Sequence, residues 1–202
     1  MTPFADLTGL AGNALAIASA CLLLPGVSRL PRAWRISLPG AVFVAAVIPV
    51  DGLPAAAYLR GAIGDLSIPS LLLLSFAVAR NMRGQPVGGA AGAPSGRDAG
   101  STGLLILIVL GAFALYPMAL GWGSFDPYWL GYGDRWFLSG LLAVAFAALW
   151  LAPTVAFAIG LAVLAWAVDW YASPNLWDYL LDPLVTIYAL GALAKRSLSR
   201  RS

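Results

Sequence analysis

Long apolar stretches alternate with short polar connections along nearly the whole chain, and they have the length of bilayer crossings. A hydrocarbon core about 30 Å thick needs about 20 helical residues at a rise of ~1.5 Å each. Seven segments meet this with allowance for tilt: Leu7 to Val27, Ile36 to Leu53, Gly61 to Ala79, Gly103 to Gly123, Trp136 to Ala152, Thr154 to Tyr171 and Asn175 to Ala194. The pattern predicts an all-α integral membrane protein with seven transmembrane helices. Its tightest point is Ala152-Pro153-Thr154, where no charge separates two apolar runs. As one helix, Trp136 to Tyr171 would be roughly 54 Å long, too much for one crossing, so a helical hairpin is expected there.

A single hydrophilic stretch interrupts the pattern. Gln85 to Thr102 reads QPVGGAAGAPSGRDAGST, a Gly, Ala, Pro and Ser composition with nothing to bury, as in a flexible linker. It separates a three-span half, residues 1–84, from a four-span half with a basic tail, residues 103–202. No inverted repeat, the mark of many transporters, relates the two halves.

Charge orients the array. Of the twelve Lys and Arg residues, ten fall in three clusters: Arg29, Arg32 and Arg35; Arg80, Arg83 and Arg97; Lys195, Arg196, Arg200 and Arg201. Positive charge marks cytoplasmic connections, which places the amino terminus outside, the carboxyl terminus in the cytoplasm and the linker inside. An odd number of spans is required, and seven satisfies it. Ala18-Ser19-Ala20-Cys21 superficially resembles a lipoprotein cleavage site, but Met1 to Thr8 has no basic residue and the apolar run continues past Cys21. The segment is read as a retained first span.

Composition agrees with this picture: 60% of residues are hydrophobic and 10% charged, with a mean hydropathy of +0.83. A soluble protein averages about 25% charged residues. The pI near 9.3 reflects basic residues beside spans, where anionic lipid is the expected neighbour and no nucleic acid is. The chain has no His and one Cys, which excludes an internal disulfide and any His-ligated haem or transition metal. No cofactor and no metal are expected. The preference for Arg over Lys and the abundance of Ala and Gly suggest a GC-rich bacterial genome, and hence a multi-pass protein of a bacterial inner membrane.

Polar residues collect in the connections assigned to the outer face: Asp51, Arg60, Asp65, Asp126, Asp134, Arg135, Asp169, Asp178 and Asp182. Aromatic residues accompany them, from Trp122, Tyr128 and Trp129 through Trp136 to Trp177 and Tyr179, as in a headgroup belt. Asp126-Pro127, Asp182-Pro183 and Ser173-Pro174 have the form of helix caps. A helix from Pro183 to Ala194 would be only ~18 Å long, however, so the last span is expected to begin at Asn175. Asp178 and Asp182 would then share one helix face and require protonation or a cation, Arg60 or Arg135.

One motif stands out in these connections. Gly131-Tyr132-Gly133-Asp134 matches GxGD at the start of a span, and GYGDRWFLSGLLA resembles the corresponding segment of the prepilin peptidase and presenilin group of intramembrane aspartyl proteases. That resemblance implies a second aspartate on the same membrane side, sharing a proton and activating water. Asp51 is the candidate, giving the catalytic pair Asp51 and Asp134. The local alternative makes Asp134 the N-cap of the fifth span. The family's Pro-Ala-Leu signature and zinc-binding cysteines are missing, and the basic clusters mark the opposite face.

No P-loop, GxSxG elbow, HExxH or paired CxxC is present. The expected function is a non-catalytic membrane subunit, or an assembly or accessory factor, of a larger inner-membrane complex, with partner subunits and the lipid bilayer as its partners. A small-solute or proton-coupled transporter, or its membrane-embedded binding component, using the outer-face aspartates is the alternative. An aspartyl protease of the GxGD type stands third.

Overall fold

The computed structural model describes residues 3–24, 26–84 and 98–199 and is built almost wholly of helices. Residues 85–97 of the expected linker lie outside the described residues, while Asp98 to Thr102 form the start of a helix. The chain divides into two compact units.

The first unit contains α1 (Pro3–Cys21), α2 (Arg32–Val47), α3 (Ala55–Ile63), most of α4 (Ile68–Met82) and Trp170–Ala172. Leu10, Ala14 and Ile17 lie on one face of α1 and meet Phe43, Ala46 and Val47 of α2 and Ala56 of α3. Between α2 and α3 the chain forms a two-stranded hairpin, β1 (Pro49–Val50) with β2 (Leu53–Pro54). Asp51 and Gly52 make its turn with φ of 53° and 105°, the paired left-handed geometry of a type I′ turn and the reason for Asp-Gly here. The second expected span therefore ends at Val47 rather than Leu53. The third expected span is broken as well: Gly64, at φ 79°, closes α3 by donating its N–H to the Arg60 carbonyl, and α4 starts afresh at Ile68.

Pro39 sits inside α2 and has no N–H to give the Arg35 carbonyl. Buried Asn81 of α4 supplies the missing donor, with its Nδ2 2.7 Å from Arg35 O.

The second unit contains α5 (Asp98–Ala119), a 3₁₀ helix (Pro127–Tyr132), α6 (Arg135–Leu151), α7 (Pro153–Ala167), α8 (Trp177–Leu180) and α9 (Pro183–Ser199), together with Ser67–Pro69. The expected hairpin is present: Ala152 alone leaves helical geometry, and Pro153 opens α7 at a position where its missing N–H costs nothing. The last helix begins at Pro183, not Asn175. It runs for 17 residues, continuing through Lys195 and Arg196 to Ser199, and so is longer than the stretch to Ala194 on which the objection to Asp182 as its cap rested. Leu181 is extended between α8 and α9, so Asp178 and Asp182 do not share a helix face.

Along the helices of both units the buried apolar residues are mostly Ala, and many large apolar side chains are exposed, although Leu66, Leu115, Tyr171, Leu176, Tyr179 and Val185 are buried. Ala5, Ala14, Ala18 and Ala46 are buried in the first unit and Ala148, Ala162, Ala165 and Ala189 in the second. Leu7, Val44, Phe76, Phe113, Phe146 and Ile187 are exposed, with Leu120 82% and Trp136 86% accessible. Among the described residues, α1 has the one window, Phe4–Cys21, long and apolar enough by itself to cross a bilayer. Shorter apolar helices run over Ile68–Met82, Leu105–Ala119, Arg135–Leu151 and Pro153–Ala167.

Candidate functional site

Polar side chains gather in each unit. In the first, Arg60 on α3 turns toward the segment after Gly64 and meets Asp65 in a forked contact, Nε to Oδ1 at 2.6 Å and Nη2 to Oδ2 at 3.0 Å. Its Nη1 bonds Asp6 of α1 at 3.0 Å. The Asp65 bond is the main reason that the Arg60 pKa is raised further, against the opposing effect of burial. Gly9 makes the approach possible, because a Cβ there would sit 2.1 Å from Asp65 Oδ1 and 2.6 Å from Arg60 Nε. One turn further along α1, fully buried Asn13 donates to the carbonyls of Gly9 and Gly64, both at 3.1 Å, while its Oδ1 has no donor among the described residues.

In the second unit, Asp178 at the start of α8 is held by neutral donors. Tyr128 Oη lies 3.0 and 2.9 Å from its two oxygens, and Ser173 Oγ 2.5 Å from Oδ2. Burial, and then the Asp178 charge, raise the Tyr128 pKa well above the usual phenol range, so the phenol remains a donor. Ser173 Oγ also accepts from the Asn175 amide at 3.1 Å. Asn175, fully buried, ties the same segment to the 3₁₀ helix: Nδ2 donates to Tyr128 O at 2.8 Å and Oδ1 accepts the Trp177 amide at 2.9 Å. Trp177 Nε1 adds a bond to Pro127 O at 3.0 Å.

The remaining expected residues have local duties. Asp126 caps the 3₁₀ helix through the Tyr128 amide at 2.9 Å, and Asp134 caps α6 through the Phe137 amide at 2.8 Å. Arg135 opens α6 and is exposed. Asp51 occupies the hairpin turn, and Asp169 turns the chain after α7 with φ of 52°. Asp182, buried, caps α9 through the Val185 amide at 2.8 Å and accepts the Ser67 amide at 2.7 Å.

The GxGD segment thus has a structural account at every defining position. Gly131 lies where a Cβ would come 1.8 Å from Asn175 Oδ1, Gly133 takes φ of 93° at the end of the 3₁₀ helix, and Asp134 is a cap. Of the aromatic residues, Trp122, Trp129, Tyr132 and Trp136 are exposed, Tyr128, Trp166, Trp170 and Trp177 are partly buried, and Tyr171 and Tyr179 are fully buried. Tyr171 donates to Leu66 O at 2.6 Å, and Tyr179 to Ser173 O at 3.0 Å.

Among the described residues no cluster of His, Cys, Asp or Glu could hold a metal ion. No family model, curated protein or solved structure matches the chain.

Proposed function

We propose that this chain is a seven-span protein of a bacterial inner membrane, serving as a non-catalytic subunit or assembly factor of a larger membrane complex. The inside-out distribution of side-chain size carries the reading. A protein in water buries its Leu, Phe and Val; here, along the long helices, most of the buried apolar residues are Ala, with Ile68, Leu115 and Val185 the larger exceptions, while many Leu, Phe and Val side chains face outward, as expected where lipid is the solvent and small residues let helices approach closely. The spans would be α1, α2, α4, α5, α6, α7 and α9, with the short elements α3, α8, the hairpin and the 3₁₀ helix at the outer boundary. The carboxylates support a non-catalytic role: Asp6 and Asp65 are ion-pair partners of Arg60, Asp126, Asp134 and Asp182 are caps, and Asp178 is held by the hydroxyls of Tyr128 and Ser173.

Orientation is tested with single cysteines in a Cys21→Ser background. A cysteine at Ser124 should react with a membrane-impermeant maleimide in intact cells, and one at Ser197 only after permeabilisation. The reverse pattern would invert the topology. The subunit role is tested by affinity purification from the native membrane in mild detergent. A stoichiometric partner, constant between preparations, is the expected result; a chain that purifies alone, folded and monodisperse, overturns the role.

Asn13 favours a second reading. A buried amide whose carbonyl has no donor among the described residues, one helical turn from an Arg–Asp cluster, suits a solute or proton path through the first unit. That transporter loses uptake on Asn13→Leu without losing its fold.

A further inference from the structure

We propose that the basic end of the first unit is a binding site for the phosphate of an anionic phospholipid. The inference rests on the membrane reading and adds a specific ligand to it.

The argument begins with charge. From Leu7 to Val50 the chain carries Arg29, Arg32 and Arg35 with no Asp or Glu, and from Leu66 to Gly84 it carries Arg80 and Arg83 with none. The unit's ion-paired carboxylates, Asp6 and Asp65, lie by the first turn of α1 and just before α4. Arg83 directly follows the last residue of α4, roughly 20 Å away at helical rise and beyond the Debye length of about 8 Å at physiological salt.

Packing then gathers the arginines. The Asn81 bond to Arg35 O, created by the proline one turn later in α2, fixes the last turn of α4 against the first turn of α2. Gly84 comes so close that a Cβ on it would lie 3.3 Å from Arg35 Nη1. Arg32 and Arg83 are exposed beside this contact, and Arg29 precedes Arg32 by three residues in a 3₁₀ turn.

Two features point to an anion. Arg35 Nε is buried and has no acceptor among the described residues, an uncompensated charged donor. Pro31, the N-cap of α2, provides no side-chain acceptor for the amides of the first turn; the ladder begins only with Arg35 N–H on Pro31 O at 3.1 Å. A phosphate there meets amides, the positive helix end and guanidinium groups together. Trp34, 62% exposed in the same turn, has the amphipathic ring of a headgroup-level anchor. A diester phosphate on a lipid is the anion available at that depth.

The test uses the full chain in mild detergent, stripped of lipid, in native mass spectrometry with phosphatidylglycerol or phosphatidylcholine of identical acyl chains. Phosphatidylglycerol should be retained as discrete adducts and phosphatidylcholine lost. The double variant Arg32→Gln, Arg83→Gln should weaken retention about thirtyfold, as expected for two cations removed from an anionic surface. Arg32→Lys with Arg83→Lys should keep most of the binding. Equal retention of both lipids by the unaltered chain overturns the proposal whether or not the variants fold, as does unchanged retention by the Gln variant. Displacement by excess inorganic phosphate also overturns it, in favour of a free-anion site. An alkaline carbonate wash separates the two failures: release of the chain from its membrane sinks the membrane reading itself, whereas a retained chain without lipid preference sinks this inference alone.

Discussion

Asp182→Ala is expected to destabilise the folded chain by on the order of 3 kcal/mol, measured as a loss in unfolding free energy in detergent. The carboxylate is 3% exposed and its two oxygens are divided between the Ser67 amide at 2.7 Å and the Val185 amide at 2.8 Å. Alanine removes both acceptors at once from a buried site, so the cost is two desolvated donors, one of them the capped Val185 amide. Ser67–Pro69 belongs to the second unit although the rest of α4 does not, and the Ser67–Asp182 bond is part of what holds that short segment there. Asp182→Asn keeps one acceptor oxygen and nearly the same shape, and should lose less than Ala. An alanine variant within about 1 kcal/mol of the unaltered protein would show that Asp182 is not the structural fastening described here.

How much of this was legible in the chain depends on the range of the interaction. The helical runs around α1, α5, α6 and α7 are visible because each is continuously apolar, and the Ala152-Pro153 turn because a single helix there would be too long. Helix ends were misplaced wherever the apolar run outlasts the helix. Val50 and Leu53 flank Asp51-Gly52 and are themselves apolar, so a local turn signal was absorbed into a span. At α9 the error came from stopping the helix at Ala194: its last turn is basic, and counting Lys195 and Arg196 as outside the helix made Asp182 look too late to be a cap.

The same distinction governs the polar centres. Caps at Asp126 and Asp134 are local, and Asp-Pro or an Asp before an apolar run announces them. Arg60 with Asp65 is nearly local, five residues apart. Nothing near Asn175 announces that it will bond Tyr128, 47 residues earlier, and nothing near Asn13 announces Gly64. The structural importance of these two amides follows from chain segments that only the fold brings together, whereas an ionised group in an apolar chain is conspicuous in the sequence by itself.

The clearest separation of a structural from a catalytic GxGD segment is Gly131→Ala, expected to cost on the order of 3 kcal/mol or to abolish the folded yield. The added Cβ would lie 1.8 Å from Asn175 Oδ1, 2.7 Å from its Cγ and 2.8 Å from Trp177 Cδ1. Asn175 cannot step aside cheaply, since its side chain is fully buried and committed at both ends, to Tyr128 O and to the Trp177 amide. Gly131 O also accepts the Leu176 amide at 2.8 Å, so the backbone cannot retreat without losing that bond. Gly133→Ala meets no such wall and should lose only about 1–2 kcal/mol, through its left-handed φ of 93°. Gly140→Ala, in α6 with open space around it, should be neutral or stabilising by up to about 1 kcal/mol. The order Gly131, Gly133, Gly140 in thermal stability is therefore the signature of a segment conserving a close approach and a turn. If Gly131→Ala folded as well as Gly140→Ala, the contact with Asn175 would be wrong, and the glycine would have to be explained by something other than the fold.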